Sequence, residues 1–490
     1  MKGGKQINMS KSIKINTLFN IIKTCSSIIF PLITFPYANR ILLPDNIGKV
    51  NFAMSFVSYF ALLASLGVQT YAIRECASVK NDKRQLSNVS SQIFSINLCM
   101  TIISYLLLFI TIVTSEKIEN YRVLIIIQST TIIFTTFGAD WLNSALEDFK
   151  YIAIRTIIFQ FFSLIAIFVF VRSSDDYIKY AIINVVSSSG ANILNYFYRK
   201  KYCNVKFTFH IEWKRHMIPI SLLFAMTLSQ TIFHNADITM LGLIWNDYQV
   251  GLYSTAHKIT NLVSSLVQSV ILVVMPRLSY FFANNDWDNA NRLLRKLLLF
   301  NIGLGLPCVT GVIMLAKDIV LIVGGSEFAS ATPIMQVLIL AFMFSLVGGS
   351  FLGNAILIPT KNEKYYMIVC WITAIANVII NALLIPKLAA VGAAIATAFN
   401  GFIILVLLLL KVDKRLKIHN KLNVFLGPII GCLAIVICCF TTSIIDIFII
   451  RLICSIISSI IVYIVVLYLC KSDFLFEIIS LLKIKRKKSI

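Results

Sequence analysis

The sequence predicts an all-α polytopic membrane protein of about fourteen transmembrane helices, built as two six-helix lobes in a pseudo-two-fold relation plus two C-terminal helices. Three observations predict it. Of the 490 residues, 58% are hydrophobic and only 13% are charged, against about 45–50% and about 25% for a soluble domain. The apolar runs recur along the whole chain at lengths near the ~20 residues a spanning helix needs. They lack the dyad alternation of membrane strands, so the backbone satisfies its own hydrogen bonds as helices.

The expected spans are 16–38, 50–70, 90–114, 123–143, 152–171, 178–198, 217–243, 250–275, 297–316, 332–358, 365–386, 389–410, 423–442 and 447–470. The run from Asn16 to Ala38 is too long for the apolar core of a signal peptide and is read as a retained first helix. Numbering the connections alternately from an inside N-terminus puts 33 of the 44 Lys and Arg residues on the inside and nine on the outside. One missed helix would scramble that alternation downstream, so both termini are expected in the cytoplasm. The net charge of +22 thus follows membrane topology, and nucleic acid is not an expected partner. The inside stretches 139–151 and 278–296 read as interfacial amphipathic helices, with Leu142, Leu146 and Phe149 on one face of the first.

The basic stretch after span six divides the chain into 1–200 (first lobe), 201–216 (cytoplasmic basic linker), 217–411 (second lobe) and 412–490 (two extra helices and a basic tail). Spans two and eight begin alike. Asp45, Gly48, Phe52 and Ala53 run parallel to Asp247, Gly251, Tyr253 and Ala256, with six helices between. Such copies have the same orientation and point to parallel repeats. The interface of the two bundles is then the expected transport path.

Polar residues at helical spacing mark candidate site faces, because an ionisable group inside a span is costly and faces a cavity or a partner. In span one, Asn16, Asn20, Lys23, Ser27 and Thr34 share a stripe, with Pro31 and Pro36 bending the helix beyond Lys23. Lys23 lies roughly 10 Å inside the run, and two readings stand: a cavity-facing cation, or snorkelling to the inner surface. In span seven, Thr227, Gln230, Thr231, His234 and Asp237 share a face beside Asn235. His234 and Asp237 are candidates for ion coupling, against a purely structural hydrogen-bond cluster. In span eight, Ser254, His257, Lys258, Asn261, Ser265 and Gln268 form the longest polar stripe in the chain, read as the wall of a wet cavity. Lys258 is the best candidate for holding an anionic group; an ion pair with Asp237 is the alternative. Gln336, Ser345, Asn354, Asn377, Asn381 and Asn400, with Gly348, Gly349 and Gly353, read as packing.

A path lined by cations, hydroxyls and amides suits a diphosphate carrying sugars. The eleven cysteines form no metal-type pair and read as small apolar core residues. There is no Walker A loop, no His-Glu-x-x-His and no Gly-x-Ser-x-Gly. No catalytic residue, metal or cofactor is expected.

Several segments carry a family resemblance. The run Phe35-Pro36-Tyr37-Ala38-Asn39-Arg40-Ile41-Leu42-Leu43-Pro44-Asp45-Asn46-Ile47-Gly48-Lys49-Val50-Asn51-Phe52 resembles the first-loop signature of bacterial oligosaccharide (O-antigen-type) flippases, and so does Leu66–Glu75. Val323–Phe328 before Ala331, and Val391–Thr397, are similar to the C-terminal patterns of the same family. The family belongs to the multidrug/oligosaccharidyl-lipid/polysaccharide exporter superfamily. The resemblance implies alternating access and a cationic cavity for undecaprenyl-diphosphate-linked sugar repeat units, bound for O-antigen (lipopolysaccharide) or capsule. It implies a bacterial inner membrane location, with lipid-linked oligosaccharide, membrane lipids and other surface-polysaccharide assembly proteins as partners. Arg40, Asp45, Gly48 and Arg74 match the signature, and the two arginines are expected to brace the loops. Two alternatives stand. A cation-coupled multidrug exporter would use an acid-rich site, from which Lys23 and Lys258 depart. A glycan polymerase or ligase would need a sizeable outside loop, and the longest outside connection is near Lys317–Thr332.

Overall fold

A computed structural model describes residues 13–413, 415–416 and 423–477, with the backbone alone at 13–18, 20–21, 266, 269–270, 272–273 and 423–424. Of the described residues 89% are helical, and no strand occurs among them. The helices are α1 (Ile13–Ser65), α2 (Val68–Ser78), α3 (Lys83–Thr114), α4 (Arg122–Gly138), α5 (Asp140–Ala145), α6 (Phe149–Phe170), α7 (Tyr177–Val185), α8 (Ala191–Tyr198), α9 (Trp213–Ile244), α10 (Asp247–Ala283), α11 (Trp287–Gly324), α12 (Thr332–Ser345), α13 (Glu363–Leu409), α14 (Asn423–Thr442) and α15 (Phe448–Leu469). A π-helical turn, Val186–Gly190, joins α7 to α8, and a longer one, Leu346–Leu357, extends α12. Two helices are broken. α1 turns at Leu43 (φ 65°) before Pro44, and α13 turns at Ala389 (φ 50°) after Pro386. Proline removes a helical donor and restricts the residue before it. Counting both legs of each, with α7–α8 and α12 plus its π turn as one leg apiece and the short α2 and α5 left out, the described residues hold fourteen helical legs. Among the described residues, ten stretches are long and apolar enough to cross a bilayer by length and composition; Ile22–Ser78 and Glu363–Leu409 each hold two of these legs.

The chain forms two compact units that divide inside α9, between Asn235 and Ala236. In the first unit, α1 packs on α3, α4 and α6. At the Leu43 turn, Tyr37 donates from its hydroxyl to the Val171 carbonyl at 2.9 Å, and Asn46 Nδ2 donates to the Ser174 carbonyl at 2.8 Å. Next to them Asp176 accepts from Lys179 and from the backbone of Arg172 and Ser173, which holds its carboxyl well below the usual range.

At the other end of this unit the sequence expectation needs two corrections. Span two does not run to residue 70. The helix breaks at Leu66 (φ 45°) and Gly67 (φ 69°), and α2 starts afresh. A Cβ at Gly67 would stand 3.0 Å from the Phe224 nitrogen, so the turn needs glycine for space as well as for φ. The interfacial helix expected at 139–151 is instead the six-residue α5, packed on α2. Its Leu142 and Leu146 are buried with Tyr71, Ala72, Trp141 and Ile220, because another helix covers the apolar face that lipid was expected to cover.

The segment after α8 is bound to α3 through its backbone. The N–H groups of Asn204, Lys206 and Thr208 donate to the hydroxyls of Ser87, Ser91 and Ser95 at 3.3, 3.1 and 2.8 Å. Two extended residues advance about 6.6 Å and four helical residues about 6 Å, so alternate N–H groups meet a serine on every turn.

In the second unit α11 carries the C-terminal hairpin α14–α15. Arg451 makes two hydrogen bonds to Asp318, at 2.9 and 2.5 Å. Arg295–Asp473 (2.8 Å) and Lys296–Glu477 (2.5 Å) tie the residues after α15 back to α11. Between these, Tyr463 donates to the Gly303 carbonyl at 2.7 Å, and a Cβ at Gly303 would meet the Phe474 ring at 2.5 Å. The stretch expected as an interfacial helix at 278–296 is not a separate element. α10 continues to Ala283, and after the turn Asn284–Asp286 the Asp286 carboxylate accepts from the Asn289 N–H at the start of α11.

Arg451→Ala leaves Asp318, which is 6% exposed, without its cation. Loss of one partner from a buried pair costs about 3 kcal/mol or more. Thermal unfolding in detergent is expected to show a clear drop for Arg451→Ala and a smaller one for Arg451→Leu combined with Asp318→Leu. Equal drops would mean the pair contributes through packing alone.

Candidate polar site in the helical units

α10 places the longest polar stripe. Asn246 caps the helix by accepting from the Gln249 N–H at 3.1 Å. Down the helix Ser254 is buried, His257 and Lys258 are half-buried, Asn261 and Ser265 are exposed and Gln268 is half-buried. Lys258 stands eleven residues from the start of α10, about 16 Å along its axis. The His257 ring stacks on Tyr253, with centroids 5.7 Å apart, and lies 3.3 Å from Asn261 Nδ2. Many large apolar side chains are exposed elsewhere in the spans, as at Leu106, Phe109, Phe162 and Leu383. On α10, Asn261 and Ser265 set an exposed amide and an exposed hydroxyl one turn apart.

Asp237 sits apart from that stripe, in a closed cluster of the second unit. It is 3% exposed. Asn377 Nδ2 and Asn381 Nδ2 donate to Oδ1 at 3.2 and 2.5 Å. Thr397 Oγ1 donates to Oδ2 at 2.6 Å, and the Tyr253 hydroxyl donates to the same oxygen. Four neutral donors thus surround one carboxylate, and no lysine or arginine pairs with it among the described residues. The ion pair with Lys258, open from sequence, does not form. Asn381 Oδ1 is buried without a partner, as are both amide atoms of Asn400 one turn beyond Thr397. Such atoms are costly in a low-dielectric interior.

His234, one turn from Asp237, is exposed, with its ring against Phe233. It is not one of the four groups that bind the carboxylate. The sequence reading assigned Asn377 and Asn381 to packing, and met Tyr253 and Thr397 only within the repeat and a family pattern, with no site role. The available signal was the i, i+4 spacing of the two asparagines, which puts both amides on one face.

In the first unit Lys23 is half-buried on α1 and makes no hydrogen bond or ion pair among the described residues, while Ser27 is exposed and donates to the Thr24 carbonyl at 2.8 Å. Ser26 reaches across to Gln160 Oε1 at 2.5 Å. The side chain of Asn20 lies outside the described residues. Of the signature positions, Arg40 and Asp45 are exposed and Gly48 is buried at the Leu43 turn. Arg74 is exposed on α2, 3.6 Å from Glu75 and over the Tyr71 ring. Among the contacts that brace the first turn are those of Asn46 and of Lys49, which lies 3.3 Å from Asn46 Oδ1 and over the Tyr177 ring.

Residues 13–282, more than half of the chain, match the family described as polysaccharide biosynthesis protein, and residues 223–383 match the family described as MatE. The capsular polysaccharide biosynthesis protein CapF of Staphylococcus aureus is 23% identical over 376 residues, 75% of this chain and 91% of its own length. Among solved structures, the lipid II flippase MurJ in an inward closed conformation superposes with a TM-score of 0.74 at 20% identity, over 92% of this chain and 98% of that one. An inward-facing multidrug resistance MATE transporter gives 0.58 at 12% identity, over 87% and 96%. At those identities the superpositions speak for the fold alone. The chain is a membrane transporter that belongs to the polysaccharide biosynthesis protein family, within the multidrug/oligosaccharidyl-lipid/polysaccharide exporter superfamily.

Proposed function

We propose that this transporter is a flippase that moves undecaprenyl-diphosphate-linked oligosaccharide units from the cytoplasmic to the periplasmic leaflet by alternating access, supplying O-antigen or capsule assembly. Both termini are then cytoplasmic. The observation that carries the reading is the α10 stripe, where an amide and a hydroxyl are exposed within a span and a lysine stands beside them. Polar side chains gain nothing from facing hydrocarbon. Water and a sugar chain satisfy them. Lys258 and Lys23 neutralise the diphosphate as point charges, and Asn20, Ser27, His257, Asn261 and Gln268 offer hydrogen bonds to sugar hydroxyls. The polyprenyl tail stays in the bilayer. A cargo of cationic drugs would ask for acids on the same stripe, and the charge there is a lysine.

The reading extends to energy coupling through Asp237. A carboxylate held only by neutral donors, next to an unpaired amide oxygen, has capacity for a proton or a small cation. His234, exposed on the same helix, is the second candidate.

Removing a charge-assisted bond costs about 1.5–3 kcal/mol, or about 10- to 100-fold. Lys258→Ala, at normal membrane level, is expected to lower surface-glycan display by that factor and to leave lipid-linked units on the inner leaflet, with partial recovery in Lys258→Arg. Full display by Lys258→Ala would remove the lysine from the binding role. Asp237→Asn, tested in sealed vesicles, is expected to abolish the response of transport to an imposed ion gradient while membrane level holds. A gradient response equal to that of the unaltered protein would take Asp237 out of coupling.

A further inference from the structure

Arg199, at the end of α8, is 4% exposed, and among the described residues no carboxylate pairs with it. Its NH1 nitrogen is fully covered and has no hydrogen-bond partner. What surrounds the guanidinium is aromatic: its carbon lies 5.0 Å from the centroid of Phe94 and 4.8 Å from that of Tyr196. Cation–π contacts offset part of the cost of burying a charge, about 0.5–2 kcal/mol each. The desolvation penalty for a lone ion is several kcal/mol. An anion is the group that this environment lacks.

An apolar groove of about 530 Å³ lies one ring beyond that aromatic pair, with Phe137 between. It runs between α3 and α4 from Leu98 and Phe137 to Phe109. The Phe137 ring packs on both rings that hold the guanidinium, at 6.0 Å from Phe94 and 6.3 Å from Tyr196. From Leu98 to Phe109 the groove follows α3 for about 16 Å, half of a ~30 Å hydrocarbon core and so the depth of one leaflet. Ile102, Leu106 and Phe109 are strongly exposed along it, and Tyr196 is partly exposed at its head. Lys200 adds a second, exposed cation, 5.6 Å from the Tyr196 ring.

We propose that Arg199 and the α3–α4 groove form a binding site for one anionic phospholipid, its phosphate between Arg199 and Lys200 and one acyl chain along Leu98–Phe109. A free anion would find the arginine and leave the groove empty; a zwitterionic lipid would fill the groove and bring no net charge. The site combines both features and fits a lipid of the phosphatidylglycerol class. It does not rest on the flippase reading.

The test uses the purified full-length protein in detergent, with its unfolding temperature followed as phosphatidylglycerol or phosphatidylcholine of the same chains is added. Phosphatidylglycerol is expected to raise the midpoint by several degrees more than phosphatidylcholine, and inorganic phosphate to give no rise. Leu106→Trp, at a lipid-facing position, fills the groove without touching the core, and Arg199→Gln removes the charge; each is expected to erase the difference between the lipids. Where Arg199→Gln fails to fold, Leu106→Trp decides. Equal rises with both lipids, a rise with inorganic phosphate alone, or a lipid preference that survives Leu106→Trp would overturn the proposal.

Discussion

Inside a bilayer no water stands ready to complete a hydrogen bond, so every polar atom in a span must find a partner in the protein or face a wet surface. Most of the polar side chains in this chain take the first course. Asp237 gathers two asparagines, a threonine and a tyrosine. Asp318 takes a two-pronged arginine. Ser87, Ser91 and Ser95 receive three backbone N–H groups that an extended segment could not pair with itself. Others differ: both amide atoms of Asn400 and a covered nitrogen of Arg199 have no partner among the described residues, and Asn261 and Ser265, though bonded within α10, stand exposed.

The same constraint shapes the breaks in the helices. A proline in a span frees a carbonyl, and α1 and α13 accommodate theirs with one residue in the left-handed region rather than with a loop. The π turns after α7 and α12 keep the helix continuous while shifting which side chains share a face. The C-terminal hairpin is held to α11 by charge pairs at both ends and by a tyrosine and a phenylalanine packed around Gly303 between them.

Much of this was legible in the sequence because hydropathy and charge alternate over lengths set by the bilayer, which leaves few ways to miscount helices. The stripe of α10 was legible for the same reason: six polar residues at helical spacing stand out from an apolar background. What local periodicity could not supply was partnership. His234 and Asp237 lie one turn apart and looked like a pair, yet the carboxylate is buried and the imidazole exposed, because the groups that select Asp237 come from α10 and α13, some 16 to 160 residues away in sequence. Leu142 and Leu146 showed an apolar face without showing that α2 would cover it. Gly67 gave no hint of the Phe224 backbone it must avoid. In each case the deciding neighbour lies far along the chain.

The transport reading depends on water reaching the middle of α10. Single cysteines placed at 261 and 265, in a cysteine-free background in membrane vesicles, report this directly through a charged, membrane-impermeant thiol reagent, with a cysteine at 109 on the lipid-facing side of α3 as the reference. The account predicts rapid labelling at 261 and 265, slowed by lipid-linked oligosaccharide, and none at 109. Labelling at 261 and 265 as slow as at 109 would contradict it, because those side chains would then face acyl chains.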